Sequence, residues 1–192
     1  MRRATATRRF QLFDSLLGLF PPGKALDLGA GHGQFSLRAA DAGWEVTAVD
    51  ARDERFPEDE RVRWIQQDVR EADLDGYDLV FCLGLFYHLT IGDQLTLLRK
   101  ASGTPLILDT HLASPRPTKP LSARVTAEGY QGRYYQEKAW ESRPTASWKN
   151  EVSFWPNAPS FYRMLEEHGY SAVFAGSPWV TKDRTFFLCL PG

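Results

Sequence analysis

The sequence predicts an α/β fold: a doubly wound, mostly parallel sheet that closes with an antiparallel strand pair and carries an aromatic, proline-rich insertion after its fifth strand. Three observations predict it. Apolar strand-like runs alternate with amphipathic runs from residue 24 to residue 109, the pattern of βαβ units. A glycine triplet, Gly29, Gly31 and Gly33, joins the first strand of that series to its first helix. Two strand-like runs at the end of the chain are joined too briefly for a parallel crossover, so they pair antiparallel.

The elements follow in order. Residues 10–20 have apolar side chains at helical spacing, and Pro21, Pro22 and Gly23 stop that helix. Residues 25–28 form a short apolar strand that runs into the glycines. Residues 35–42 read as a helix closed by Gly43. Residues 44–49 make a second strand ending at Asp50, and residues 62–67 a third ending at Asp68. Residues 77–83 are almost continuously apolar, as a parallel strand buried on both faces should be. A helix over 93–101 and a fifth strand over 105–108 complete the alternation. From residue 111 the texture changes: prolines, Tyr130, Tyr134, Tyr135, Trp140, Trp148 and Trp155 occur without sustained periodicity. So long an irregular stretch inside a domain is usually functional or mobile. Regularity returns with a helix over 160–168, closed by Gly169, and strands over 171–175 and 185–190, linked through Gly176, Ser177 and Pro178.

Composition narrows the function classes. The chain has 192 residues, 43% of them hydrophobic and 24% charged, which suits one folded domain. The expected organisation is a single domain over 1–192: an N-terminal lid helix (1–23), a cofactor-binding half (24–110), a substrate-covering insertion (111–159) and a closing helix with its strand pair (160–192). No apolar run approaches the ~18 residues of a membrane span, and no apolar core follows the basic N-terminus as in a signal peptide. A cytoplasmic protein, monomeric or homodimeric, is the expectation. Cys82 and Cys189 sit in apolar strands, which reads as buried thiols, and they are too few for a zinc site. Residues 1–9 carry four arginines and no acid, and residues 111–149 seven lysines and arginines against three glutamates; with a net charge of −1, the remaining body carries −9. Two basic segments on an acidic body suit an anionic ligand or a solvated tail and insertion alike.

The sharpest signal is Asp27-Leu28-Gly29-Ala30-Gly31-His32-Gly33. Glycines here allow positive φ and close approach of a ligand to the backbone, and the following helix offers free N–H groups and a partial positive charge. Asp50, 21 residues after Gly29, can accept hydrogen bonds from both hydroxyls of a ribose. Asp68 can reach an adenine amino group. All three strand ends share the carboxyl edge, where open α/β sheets bind ligands. A dinucleotide fingerprint would place its third glycine at position 34, which is Gln.

The G-x-G-x-G spacing, with an acid two residues before its first glycine, resembles motif I of class I S-adenosylmethionine-dependent methyltransferases. The resemblance implies a Rossmann-like seven-stranded sheet whose last strand inserts antiparallel between the fifth and sixth. It implies S-adenosyl-L-methionine as cofactor, held by Asp27, Gly29, Ala30, Gly31, Gly33, Asp50, Ala51, Asp68, Val69, Cys82 and Leu83. A narrower likeness, over Gly84-Leu85-Phe86-Tyr87-His88 and over Asn150 to Asn157, is to the catalytic domain of the tRNA wobble-uridine carboxymethyltransferase family, and small-molecule methyltransferases carry versions of both motifs.

Methyl transfer from a sulfonium needs an aligned nucleophile and, for some acceptors, a base. His88 and Tyr87 follow the fourth strand, where the methyl group would lie. A histidine, with an ordinary pKa near about 6.5, suits a base; a structural histidine is the other reading of His88. Tyr87 reads as a pocket wall. His111, beside Asp109, is an alternative base, and the pair lacks the clustered ligands of a metal-dependent methyltransferase, so no metal is expected. The insertion is read as the substrate cover: its tyrosines as pocket wall, Trp148 and Trp155 as packing, and Arg116, Lys119, Arg124, Arg133 and Arg143 as anion-holding groups. The leading function is methyl transfer to oxygen or nitrogen of a small molecule, planar or anionic. The alternatives are an RNA methyltransferase, against which a pI near 6.4 weighs, and a non-catalytic cofactor-binding scaffold.

Overall fold

The protein was analysed as a computed structural model that describes residues 2–117, 119–137, 147–177 and 184–192, with side chains from residue 8 onward. Trp140, Arg143 and Pro178 lie outside the described residues. Helix α1 (Arg2–Leu17) leads into β1 (Lys24–Leu28), α2 (Gln34–Asp41), β2 (Glu45–Asp50), β3 (Val62–Gln66) and β4 (Leu79–Leu83). A single 3-10 turn (Phe86–His88), α3 (Ile91–Lys100) and β5 (Leu106–His111) follow. Next come β6 (Val125–Ala127), β7 (Tyr130–Gln136), β8 (Val152–Pro156), α4 (Ala158–Glu167), β9 (Tyr170–Gly176) and β10 (Arg184–Pro191).

The main sheet has seven strands in the order β3-β2-β1-β4-β5-β10-β9. The first five are parallel, and β10 lies antiparallel between β5 and β9, as the sequence predicts. The strand order reverses between β1 and β4, the switch point at which such sheets bind ligands. One apolar layer fills each face. Phe13 and Leu17 of α1, with Phe35 and Ala39 of α2, cover one face. Leu97 and Leu98 of α3, Phe161, Met164 and Leu165 of α4, and Tyr130 and Phe154 of the insertion cover the other.

Two expectations change. Helix α1 starts at Arg2, eight residues before the apolar periodicity begins, and ends at Leu17. Its first turns carry Arg, Ala and Thr, which continue a helix without marking a face. Its apolar face is buried as expected: Phe13 is wholly inside, edge-on to Phe35 at 5.0 Å and Phe81 at 5.3 Å. The insertion is not irregular: β6, β7 and β8 form an antiparallel sheet of their own. Its first hairpin turns at Glu128 and Gly129, both at positive φ. That geometry is usually announced by Asn-Gly or Asp-Gly, and Glu-Gly conceals it.

Candidate active site

The carboxyl ends of β1, β2 and β4 frame a cleft of about 310 Å³. The chain leaves β1 through Gly29, Gly31 and Gly33, all at positive φ. The N–H groups of Gly29 and Ala30 donate to the Val49 carbonyl at 2.8 and 3.2 Å, tying the loop to β2. Asp50 ties it again: its carboxylate accepts from Gly31 N–H at 2.9 Å and from Arg52 N–H at 2.9 Å. Each oxygen therefore keeps a lone pair for a further donor.

Of the expected cofactor residues, Gly29, Ala30, Gly31, Asp50 and Ala51 line the cleft, and so do Asp68, Val69 and Leu83. Three others lie beneath it. Asp27 is buried, and its carboxylate accepts from the Ser36 hydroxyl at 2.6 Å, holding β1 to α2. Cys82 is wholly buried in β4, where burial pushes its thiol well up and leaves it inert. Cys189, also buried, is pushed up to about 12. Gly33 turns toward β3, where a Cβ would stand 2.3 Å from the Trp64 ring. Gly33→Ala combines that overlap with positive φ, so a loss of about 2 kcal/mol in urea unfolding is expected.

Burial raises the Asp27 carboxyl to about 7, against the pull of its Ser36 hydrogen bonds. The folded protein then binds the proton more tightly than the unfolded chain, so stability is greatest below pH ~4 for this group and falls as pH rises toward ~7. Asp27→Asn should flatten that slope in denaturation midpoints measured across the interval.

The other side of the cleft carries charge that the sequence reading did not assign. Asp109, at the end of β5, is wholly buried. Arg184 of β10 grips it with two hydrogen bonds of 2.7 Å, and Arg9 of α1 adds one of 2.6 Å. Burial pulls the Arg9 guanidinium below its ordinary range, despite Asp109. Burial pulls Arg184 the same way, but Asp109 and Tyr87 together outweigh it and hold that guanidinium above. Both arginines line the cleft, and Arg184 lies 5.2 Å from the Tyr87 ring centroid. With its carboxylate taken by two guanidiniums, Asp109 offers a metal nothing. At the opposite rim Asp68 is gripped by Arg70, whose hydrogen bonds hold it below the usual carboxylate range.

Tyr87 and His88 line the cleft, as expected. Burial raises the Tyr87 phenol further, which suits a wall and not a base. His111 does not line it: its ring stacks on Trp155 at 4.5 Å and meets Tyr87 edge-on at 4.6 Å. The tyrosines of the insertion are not wall either. Tyr130 donates to Glu167, Tyr134 meets Phe154 edge-on at 5.8 Å, and Tyr135 stacks on Trp155 at 5.3 Å. Trp155 packs as expected and donates its indole N–H to the Tyr87 carbonyl at 3.0 Å. Trp148 reverses its reading: it lines the cleft beneath the Arg52 guanidinium, 4.9 Å from its ring. Arg124 and Arg133 line a separate cleft of about 760 Å³ beside Asn157 and Thr185. Arg116 and Lys119 are exposed outside both clefts.

The most consequential residue missed is Glu137. It follows β7 and is buried, and its Oε1 lies 2.7 Å from His88 Nδ1 while accepting from the Ser153 hydroxyl at 3.0 Å. No local pattern announces it: a single acid among aromatics meets a histidine 49 residues away.

Residues 25–103 match the family model of a methyltransferase domain. The match spans β1 to α3 and stops before Asn150–Asn157, so it leaves the likeness to the tRNA-modifying family unsupported. Solved structures share the fold over nearly the whole chain. The N-terminal domain of EvdMO1, solved with S-adenosylhomocysteine bound, has a TM-score of 0.72 at 22% identity, over 94% of this chain and 77% of that one. The 1,6-didemethyltoxoflavin-N1-methyltransferase of Burkholderia thailandensis, solved with 1,6-didemethyltoxoflavin and S-adenosylhomocysteine, scores 0.66 at 17% identity, over 95% and 77%. The glycopeptide N-methyltransferase MtfA, complexed with S-adenosylhomocysteine, scores 0.61 at 18%, over 98% and 87%. The curated proteins gave no match.

Proposed function

We propose that this chain is an S-adenosylmethionine-dependent methyltransferase that modifies oxygen or nitrogen of a small-molecule acceptor. The observation that carries the proposal is Asp50 at the cleft rim, aimed by two backbone N–H groups and retaining acceptor capacity for a ribose diol. The loop leaves room for such a ligand at Gly31, which lines the cleft and where a Cβ would meet nothing nearer than the Arg55 guanidinium at 3.7 Å, while Gly29 keeps its bare face for the Leu85 side chain. Val69 and the Trp148 ring line the same cleft and offer apolar contacts to a purine.

When bound, the cofactor supplies an electrophilic methyl group on sulfur and a thioether leaving group that needs no general acid. The chain's own residues do the rest. Asp50 and the glycine loop hold the nucleoside, while the Arg9–Asp109–Arg184 cluster sets a fixed electrostatic wall across from it. Tyr87 shapes the space in front of His88, which stands at the cleft in the position for a base. The similar structures solved with S-adenosylhomocysteine, one of them with 1,6-didemethyltoxoflavin also bound, support this reading.

Calorimetric titration with S-adenosylhomocysteine tests it. One-to-one micromolar binding is expected; no heat from folded, ligand-free protein would overturn the cofactor assignment.

A further inference from the structure

We infer that Glu137 of the insertion is a positioning residue that makes His88 a general base, and that the acceptor is therefore a weakly acidic hydroxyl or ring N–H, not an amine whose lone pair is already free. The inference rests on the methyltransferase reading above.

Glu137 and His88 come from separate parts of the fold. His88 closes the turn after β4 and lines the cleft. Glu137 sits at the far end of β7, its main chain held by a hydrogen bond to the Glu151 carbonyl at 2.8 Å. Its side chain is 3% exposed and that of His88 17%, so the contact between them is largely withdrawn from water while the imidazole still reaches the cleft. An ionised carboxylate only accepts hydrogen bonds. Paired with Glu137, Nδ1 must therefore carry the proton, which leaves the lone pair of neutral His88 on Nε2. The ring's hydrogen bond among the described residues is the one at Nδ1, and the imidazole lines the cleft. A carboxylate so placed also stabilises the imidazolium that forms when Nε2 takes a proton, the role a buried acid plays behind the histidine of a hydrolytic triad.

Two further contacts fix the histidine's main chain. The Asn150 side-chain amide donates to the His88 carbonyl at 2.7 Å, and Trp155 holds the neighbouring Tyr87 carbonyl. Ser153 donates to the oxygen of Glu137 that also faces His88, fixing the carboxylate's rotamer. Four residues of the insertion thus converge on the Tyr87–His88 turn: Glu137 on the ring, Ser153 on Glu137, and Asn150 and Trp155 on the main chain.

The chemistry this arrangement serves is specific. A neutral amine attacks a methyl group without first losing a proton. A hydroxyl or ring N–H becomes a competent nucleophile as its proton departs. In that reaction the acceptor proton passes to His88 Nε2. The acceptor's electron pair forms the new bond to the methyl carbon, and the carbon–sulfur pair leaves with sulfur as a neutral thioether. The imidazolium then returns its proton to solvent, so charge and atoms balance.

Nitrogen-15 spectra of histidine-labelled protein, recorded with and without S-adenosylhomocysteine, test the assignment without any acceptor. The neutral His88 ring of the wild type is expected with its proton on Nδ1. Glu137→Ala is expected to shift it toward the Nε2–H tautomer. Glu137→Gln, nearly isosteric and retaining a carbonyl acceptor, guards against failure to fold and should keep the tautomer. In methyl-transfer assays with matched phenols and anilines as probes, the anilines being aromatic amines that are already neutral at pH 7, phenols are expected to be the better acceptors. Glu137→Gln should lower kcat at least tenfold with little change in KM, and Glu137→Asp should recover part of it. An Nε2–H tautomer in the wild type, an unchanged kcat in Glu137→Gln, or transfer to the amines with phenols inert would overturn the inference. Bound S-adenosylhomocysteine in the same samples separates the two readings: binding with the wrong tautomer sinks the base and leaves methyl transfer standing, whereas no binding sinks both.

Discussion

Asp109→Asn is expected to destabilise the protein by about 3–5 kcal/mol, the cost of removing one partner from a buried ion cluster. The carboxylate is wholly buried and holds two guanidiniums whose side chains are 22% and 19% exposed. Without it, Arg9 and Arg184 face each other as like charges in a poorly hydrated space. The substitution is nearly isosteric, so the loss reports charge and not a cavity. A double variant separates the two effects. Arg9→Met keeps the apolar stem of the side chain and removes one of the opposing charges. Combined with Asp109→Asn it should recover part of the loss, giving a coupling of about 1–3 kcal/mol in a double-mutant cycle. Urea unfolding of the four proteins measures both numbers. A loss below about 1 kcal/mol for Asp109→Asn would mean that the cluster is hydrated and contributes little.

The same cluster shows what the sequence conceals. The cofactor half is legible because its signals are local. A strand that ends in glycines and two acids at successive strand ends each occupy one short window, and backbone geometry alone aligns them on one sheet edge. Asp50 lines the cleft for that reason. Arg9, Asp109 and Arg184 come from the first helix, the fifth strand and the last, and only the insertion of β10 beside β5 brings them together. Arg184 even stands at the start of an otherwise apolar strand, where a charged residue reads as an end signal. Distance along the chain hides Glu137 in the same way.

Where the sequence misjudged chemistry, the cause is usually depth. Residue type and strand position do not say which side of the backbone faces the ligand. Asp27, two residues before Gly29, points down into the sheet and meets Ser36, while Asp50 points up. Gly33 belongs to the same loop as Gly29 and Gly31, yet the space it keeps open is for Trp64. The tyrosines of the insertion mislead for a different reason. Their strand alternation is masked by rings on both faces, and the register of β7 with β8 decides which ring stacks on Trp155 and which meets Phe154.

Asp50→Ala is expected to weaken S-adenosylhomocysteine binding by about a hundredfold, or roughly 3 kcal/mol. Two charge-assisted hydrogen bonds to a ribose diol are each worth about 1.5–3 kcal/mol, and part of that is offset by desolvating the carboxylate. The carboxylate also does a second job. By accepting from Gly31 and Arg52 it fixes the loop against the start of the segment after β2, at 2.9 Å on each side. Alanine removes the ligand contact and the tether together. Asparagine separates them: its carbonyl can keep one backbone N–H, but its amide cannot accept, so one ribose contact and the charge are lost while the loop stays partly held. The expected order of affinity is Asp50, then Asn, then Ala, with the Asn variant weakened about tenfold. Global stability should move little for either, since Asp50 is only partly buried and Gly29 and Ala30 still hold the loop to Val49. Calorimetry gives the affinities and urea unfolding the stabilities. Equal affinity in all three proteins would remove Asp50 from the nucleoside site and with it the observation on which the functional proposal stands.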